Sequence, residues 1–290
     1  MNAFIFPNFD KPHSLECTKN VCEILTELDV GIFLPDFSHM RFEFDDAQYL
    51  PSEKAAESCD VMISIGGDGT ILKCAGLASK NGIPLLGINC GRLGFMASLE
   101  RDELHLLNRL ISGEYSVEER MMIDVEVEFS DGGKALLTAL NEAVISADTI
   151  RGIRDFTVFA DGETVSSLRA DGLIFSTPTG SSAYSLSAGG PLIEPSLDCI
   201  EFTQICPHSL FARTMLFSPN NIIEVRFESI GSTSAAVSVD GSDPMKLSEN
   251  DRLRITRSDK RLKLIDISGG SYFRAVNRKL MRPVKQSDEK

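Results

Sequence analysis

The hydrophobic period of this chain changes part-way along it, and that change calls for two different kinds of layer. Over the first hundred residues strand-like and helix-like patterns alternate. Residues 3–6 (AFIF) read as a short buried strand. Residues 15–28 place Leu15, Val21, Ile24, Leu25 and Leu28 at helical spacing. Residues 30–34 read as a second strand ended by Pro35, and residues 36–50 as loop with little regular structure. Residues 61–65 (VMISI) form a buried strand followed at once by GGDGT; a helix over 71–79 and a strand over 83–88 (IPLLGI) come next. Strands alternating with helices specify a parallel sheet with helices on its faces. In such sheets ligands bind beyond the carboxyl ends of strands, and GGDGT lies at such an end.

After about residue 115 the period becomes two. Residues 123–129 (IDVEVEF), 156–159, 222–227, 235–239 and 252–255 alternate, separated by the turn signals Asp131-Gly132-Gly133, Asp161-Gly162, Asp240-Gly241 and Asn250-Asp251. Many short strands with such turns predict a mainly antiparallel, β-sandwich-like domain. Residues 102–111 read as a helix near the junction. The expected organisation is an α/β domain over 1–115 and a β-rich domain over 116–271, with the active site in the cleft between them. The basic tail, 272–290, is expected to pack back on the first domain.

Charge narrows the partners. The 290 residues carry a net charge of −13, which repels phosphate backbones and anionic lipids. Neither a nucleic acid nor a membrane is an expected partner, although a local basic pocket for a phosphorylated small molecule is compatible with that charge. Cysteines at 17, 22, 59, 74, 90, 199 and 206 are scattered without CxxC pairs, which fits neither a disulfide framework nor a zinc site. They fit thiols in a reducing cytoplasm. The N-terminal MNAFIFPNFDKPH has no basic n-region or long apolar core, and no run approaches the ~18 apolar residues of a spanning helix. A cytoplasmic location is expected.

Gly66-Gly67-Asp68-Gly69-Thr70 is the first constellation with chemistry in it. Glycines let the backbone turn sharply and approach a ligand, and a helix beginning there would aim free N–H groups at an anion. Asp68 adds a carboxylate able to take a proton. The competing reading is an ordinary strand-to-helix turn with Asp68 as its cap. The loop lacks the Gly-Lys-Ser/Thr of a Walker A motif and the GxGxxG of a dinucleotide fingerprint.

Further segments supply the context. They are Gly87-Ile88-Asn89-Cys90-Gly91-Arg92-Leu93-Gly94-Phe95, Asn141-Glu142-Ala143-Val144, and Asp171-Gly172-Leu173 running into the stretch Ser176 to Pro191 (STPTGSSAYSLSAGGP). Ile205-Cys206-Pro207-His208-Ser209-Leu210 and Val239-Asp240-Gly241 follow in order. Together with GGDGT, this series resembles the NAD kinase family over most of the chain. GGDGT alone is shared with diacylglycerol and sphingolipid kinases and phosphofructokinases; the TPTG-S-S-AYSLSAGGP run is far more specific.

The resemblance implies an NAD kinase/diacylglycerol kinase-like fold and phosphoryl transfer from ATP, another nucleoside triphosphate or polyphosphate to the 2′-hydroxyl of the adenosine ribose of NAD, giving NADP. It implies Asp68 as general base. Gly66, Gly67, Gly69 and Thr70 would hold donor phosphates, with magnesium arriving on the triphosphate rather than in a cage of its own. Asp68, Gly69, Asn141, Glu142, Arg169, Asp171, Ser182, Ala183, Tyr184, Ser185 and Ser187 would form the NAD site, joined by Arg151, Arg154 and Asp240. An amide beside a carboxylate, as at Asn141-Glu142, suits sugar hydroxyls. The competing readings are a polar β-turn for that pair and a solvated surface charge for Arg169. Family members are homodimers or homotetramers, so a homo-oligomer is expected.

Several positions depart from the family pattern. Ser182 stands where threonine is usual, Thr203-Gln204 where many members have Thr-Pro, Arg213-Thr214 where Arg-Pro is common, and Ser242 where some carry glutamine. Two other readings remain: a lipid kinase sharing the GGDGT loop, which the charge of −13 and the dinucleotide segments oppose, and a non-catalytic nucleotide sensor, which an intact Asp68 opposes. Cys206 and His208, separated by Pro207, are awkwardly placed for a nucleophile–base pair.

Overall fold

Two groups of buried side chains, one for each hydrophobic period, organise the computed structural model. It describes residues 1–91, 94–147, 153–209, 211–228, 235–269 and 272–280. The chain divides into a first unit, residues 1–119 with 262–290, and a second, residues 120–261.

The first unit opens with β1 (Asn2–Pro7), α1 (Ser14–Glu27), β2 (Gly31–Pro35), β3 (Ala47–Leu50), α2 (Ser52–Glu57), β4 (Val61–Gly66), α3 (Asp68–Asn81) and β5 (Leu85–Asn89). β6 (Leu99–Glu100), a 3-10 segment over Arg101–Leu107 and α4 (Asn108–Ser112) follow. The strands lie parallel in the order β5-β4-β1-β2-β3. Every residue of β4 and β5 is buried, as parallel strands covered on both faces require. Leu25, Val21 and Cys17 of α1 pack with Ile5, Ile63, Leu86 and Ile88 in one core.

Three expectations for this region are corrected. Residues 36–50 are not wholly loop: they hold a 3-10 turn at Asp36–Ser38 and the edge strand β3. No residue of β3 is buried, so it carries no apolar alternation to read. Tyr49 fixes it instead, its hydroxyl donating to the Phe42 carbonyl at 2.9 Å and accepting from the Phe44 amide at 3.0 Å. The helix over 71–79 starts earlier, at Asp68. The helix over 102–111 is largely 3-10.

The second unit is a sandwich. Its strands are β7 (Ser116–Glu128), β8 (Lys134–Ala139), β9 (Glu142–Ala147), β10 (Arg154–Ala160), β11 (Glu163–Ala170) and β12 (Gly172–Ser176). After the short helix α5 (Tyr184–Ser187) come β13 (Ile200–Ile205), β14 (Met215–Phe217), β15 (Ile223–Glu228), β16 (Ala235–Val239), β17 (Met245–Leu247) and β18 (Arg252–Asp266). One sheet runs β14-β13-β12-β9-β16-β17; β11, β10, β15, β18, β7 and β8 belong to the other. Ile145, Leu173, Phe175 and Phe202 from the first meet Ile123, Val125, Phe156, Val225 and Leu253 from the second in a single core. Antiparallel hairpins with one buried face produce the two-residue period. Asp161-Gly162 and Asp240-Gly241 turn as expected, with positive φ at all four residues, as type I′ hairpins demand.

The strand expected over 252–255 continues to Asp266 as β18. The polar run Arg257–Arg261 conceals the pattern, which resumes at the buried Leu262 and Leu264. Leu264 pairs in parallel with Leu85 in the first unit's sheet. α6 (Tyr272–Leu280) completes the described chain.

Phe175 and Phe202 are fully buried and stack with ring centroids 5.1 Å apart. Phe202→Ala is expected to cost about 3–5 kcal/mol of stability, measured as a lowered urea midpoint with unchanged slope.

Candidate functional site

In the first unit the site grows from the carboxyl end of β4. Gly66 closes that strand, its carbonyl accepting from the Cys90 amide at 2.7 Å. Gly67 is extended, and α3 begins at Asp68; the Thr70 amide bonds the Gly67 carbonyl at 2.8 Å, and the Asp68 and Gly69 amides of this 14-residue helix open at the strand end. Thr70 is buried; its hydroxyl accepts from the Gly67 amide at 3.4 Å and from Asn8 Nδ2 at 3.4 Å. This ties the glycine turn from beneath.

The Asp68 carboxylate is held from a second direction. Its Oδ2 accepts from the Phe95 amide at 2.8 Å and its Oδ1 from the Met96 amide at 3.3 Å. Gly94 makes the approach possible, since a Cβ there would collide with Asp68 Oδ1. Lys279, near the end of α6, brings Nζ to 3.9 Å from Asp68 Oδ2 and 4.0 Å from the centroid of the Phe95 ring. In the sequence Gly94 stands inside a family segment, with no role of its own to read. Lys279 reads in the sequence only as part of the basic tail that packs back on the first domain; its place beside Asp68 has no local signal.

In the second unit, register gathers the other candidates. Glu142, first residue of β9, lies opposite Ser176 at the end of β12, and Ala143 opposite Val239 of β16. Asp240 therefore sits beside the Asn141-Glu142 pair. It accepts from the amides of Leu140 at 2.7 Å, Asn141 at 2.8 Å and Glu142 at 3.1 Å. The segment after β12 packs onto the same turn. Thr177 donates its amide to the Asn141 carbonyl at 2.8 Å and its hydroxyl to the Leu140 carbonyl at 2.5 Å. Gly180 lies so close that a Cβ would meet the Asn141 carbonyl. The Tyr184 amide faces the Glu142 carboxylate.

This leaves two buried acceptors with no donor among the described residues: Asn141 Oδ1 and Glu142 Oε2. A buried unmet acceptor costs roughly 1–3 kcal/mol and marks where a ligand's donors belong. Burial, reinforced by Asp240 and Glu201, raises the Glu142 pKa from its ordinary 4.5 to about 7.

The remaining candidates fall into distinct settings. Tyr184 presents a half-exposed ring; Ser187 and Asp171 are exposed, Ser182 and Ala183 partly so. Ser182 Oγ donates to the Thr179 carbonyl at 3.2 Å. Ser185 is fully buried beneath them, donating to Glu201 Oε1 at 2.8 Å and linked to Thr203 at 2.9 Å, which reaches Thr214 at 3.1 Å. Its side chain supports the loop from behind. Arg169 forms a two-point pair with Asp155 at 2.8 and 2.7 Å. Arg154 is fully buried, and none of its guanidinium nitrogens has a hydrogen-bond partner among the described residues. Arg151 lies outside the described residues. Cys206 and His208 are exposed, and His208 donates its backbone amide to the Arg169 carbonyl. Among the described residues, no group of three or more His, Cys, Asp or Glu side chains is arranged to hold a metal.

The acidic residue opening a helix after a glycine turn lies in one stretch of the chain that a family model matches, and the amide–carboxylate pair with orphaned acceptors under a serine-rich loop lies in another. Residues 4–115 match the family model of the ATP-NAD kinase N-terminal domain and residues 140–267 that of the ATP-NAD kinase C-terminal domain. The chain belongs to the ATP-NAD kinase family. It is 36% identical over 282 residues to the NAD kinase of Lachnoclostridium phytofermentans, covering 95% of this chain and 97% of that relative. It is 34% identical over 277 residues to the NAD kinase of Thermoanaerobacter sp., with coverages of 95% and 97%. Among solved structures, an Archaeoglobus fulgidus NAD kinase in complex with ATP is similar with a TM-score of 0.71 at 28% identity, covering 91% of this chain and 93% of that one. Yeast NADH kinase complexed with NADH shares the fold with a TM-score of 0.88 at 23% identity, covering 100% and 90%.

The buried Glu142 makes stability depend on pH. The folded protein holds its proton more tightly than the unfolded chain, so this group's contribution is complete below about pH 4.5 and is lost as pH rises through 7. Unliganded protein should lose up to about 3 kcal/mol by this route. Glu142→Gln is expected to flatten the curve of unfolding free energy between pH 5 and 8; an unchanged slope would remove Glu142 as its source.

Proposed function

We propose that this chain transfers the terminal phosphoryl group of ATP to the 2′-hydroxyl of the adenosine ribose of NAD, giving NADP, with Asp68 as the general base. One observation carries the assignment of the base: Asp68 opens α3 at the glycine turn, with each carboxylate oxygen held by one backbone amide. Such a carboxylate is fixed in direction and keeps a lone pair on each oxygen. Phosphoryl transfer asks chiefly for positioning, charge neutralisation and a residue that orients the nucleophile.

The donor phosphates are assigned to Gly66, Gly67, Gly69 and Thr70. The open amides of the α3 N-terminus and the positive end of its dipole suit anionic oxygens there. Magnesium belongs to the donor, as MgATP, with water and phosphate oxygens as its principal ligands.

NAD is assigned to the Asn141–Glu142 turn and the α5 segment. The orphaned Asn141 Oδ1 and Glu142 Oε2 match the hydroxyl donors of a ribose, and the partly exposed Tyr184 ring can lie against a base. Asp240 sets the backbone of that turn, and Ser185 supports Ser182, Ala183 and Ser187 from below. Asp171 is assigned to the nicotinamide end, and Arg169, whose orientation its Asp155 partner fixes, to an anionic oxygen of the ligand. Arg154, buried without a hydrogen-bond partner among the described residues, is assigned to an anionic group of the dinucleotide. The working form is a homo-oligomer in the cytoplasm, where the free cysteines stay reduced. No helix among the described residues is long and apolar enough to cross a membrane.

The test is NADP formation from NAD and MgATP, read by an NADP-specific cycling assay. Folded wild-type protein that binds NAD and makes no NADP would overturn the proposal. Asp68→Asn is expected to lower turnover by about 10²–10⁴-fold with NAD affinity retained; wild-type rates would remove Asp68 from the base role. Gly94→Ala pushes on Asp68 without changing any reacting group. It is expected to lower turnover at least tenfold with a melting curve close to wild type.

A further inference from the structure

The described chain ends on α6, and two of its contacts bear on the placement of Lys279. Val276 is buried, and Arg278 Nη2 pairs with Glu100 Oε1 at 3.2 Å. The next residue, Lys279, reaches Asp68. At 3.9 Å from Oδ2 its ammonium is within ion-pair range but beyond hydrogen-bond range. Its other neighbour is the face of Phe95, at 4.0 Å, the residue whose amide already holds Asp68. Lys279 makes no hydrogen bond among the described residues. Among those residues its N–H donors are therefore uncommitted beside the carboxylate. Its side chain is only 25% exposed, and burial pushes its pKa below the ordinary lysine value.

Three features distinguish this arrangement from a structural salt bridge. A bridge that fastened α6 would close to about 2.8 Å, as Arg278 nearly does. The cation–π contact orients the ammonium and leaves donors free. Partial burial strips the water that would otherwise weaken a charge–phosphate contact. An oxygen atom placed beside Asp68 lies within reach of those donors.

We infer that Lys279 is a further catalytic residue of the phosphoryl transfer, donating hydrogen bonds to an equatorial oxygen of the phosphoryl group in flight. The inference rests on the reading of Asp68 as base. The ribose 2′-oxygen forms its bond to the terminal phosphorus as the bond from that phosphorus to the β–γ bridging oxygen breaks. The hydroxyl proton passes to Asp68, and ADP leaves with the electron pair of the broken bond. Lys279 stays protonated throughout and neutralises charge on the moving group, while its Coulomb attraction holds Asp68 toward the nucleophile. Pinned donors of this kind act where charge sits in the transition state.

The experiment measures steady-state kinetics of the full chain with NAD and MgATP for wild type, Lys279→Met and Lys279→Arg. Asp68→Asn is run alongside, with NAD affinity by calorimetry and thermal melts for each. The expected result for Lys279→Met is a kcat loss of about 10²-fold or more. Its KM for ATP, its NAD affinity and its melting temperature should stay near wild type, and Lys279→Arg should recover at least tenfold of the loss. A Lys279→Met kcat within threefold of wild type overturns the inference. So does a loss confined to KM for ATP, or one that Lys279→Arg, folded as wild type, fails to relieve. If Lys279→Met melts early, Lys279→Gln replaces it beside Lys279→Arg, and the same criteria decide. Active Asp68→Asn would instead refute the base assignment, and the two failures are told apart by which variant keeps its activity.

Discussion

A carboxylate that must act at the mouth of a helix has to be held there by something other than the helix. Asp68 is the first residue of α3, and free rotation of its side chain would leave no defined nucleophile geometry. The amides of Phe95 and Met96, one on each oxygen, remove that freedom. They can do so only because residue 94 has no Cβ. The glycine turn, the β5–β6 connection and α6 all converge on this one side chain. The chemistry proposed for the first unit rests on that convergence.

The second unit solves a costlier problem, because its dinucleotide candidates include buried acids. Asp240 accepts three successive amides, which offset part of its desolvation, and burial still raises its pKa. Glu201 is met at Oε1 by the Ser185 hydroxyl, backed by Thr203 and Thr214, while its Oε2 has no donor among the described residues and burial raises its pKa. Glu142 likewise keeps one oxygen without a donor among the described residues, and burial, reinforced by Asp240, raises its pKa. An apolar replacement would fold more easily. A half-satisfied acid and amide, maintained side by side against that cost, are intelligible as a site that a polyhydroxylated ligand completes.

The departures from the family pattern acquire physical settings. Ser182 keeps the hydroxyl and bonds the Thr179 carbonyl. Thr214 ends the hydroxyl chain from Glu201, so this chain uses a polar atom where proline is common. Gln204 donates to the Arg213 carbonyl at 3.1 Å, bracing the strand that proline would stiffen by another route. Ser242 Oγ accepts the Val239 amide at 3.2 Å, tightening the Asp240-Gly241 hairpin.

Local patterns in the sequence determined which layers form and which segments carry chemistry. Buried runs such as VMISI read directly as parallel strands, alternation with Asp-Gly turns as a sandwich, and GGDGT as a turn opening a helix, because each signal lies within a few residues. What the pattern lacked, it hid: β3 has no buried residue, and β18 crosses a polar run. Only the tertiary structure decided that Asp240 organises the Asn141-Glu142 turn, that Ser185 faces Glu201, that Arg169 is committed to Asp155, and that Lys279 stands beside Asp68. These are contacts between residues 14 to 211 positions apart, set by strand register and helix docking. A propensity acts along the chain and cannot encode which distant side chains the packed core brings together.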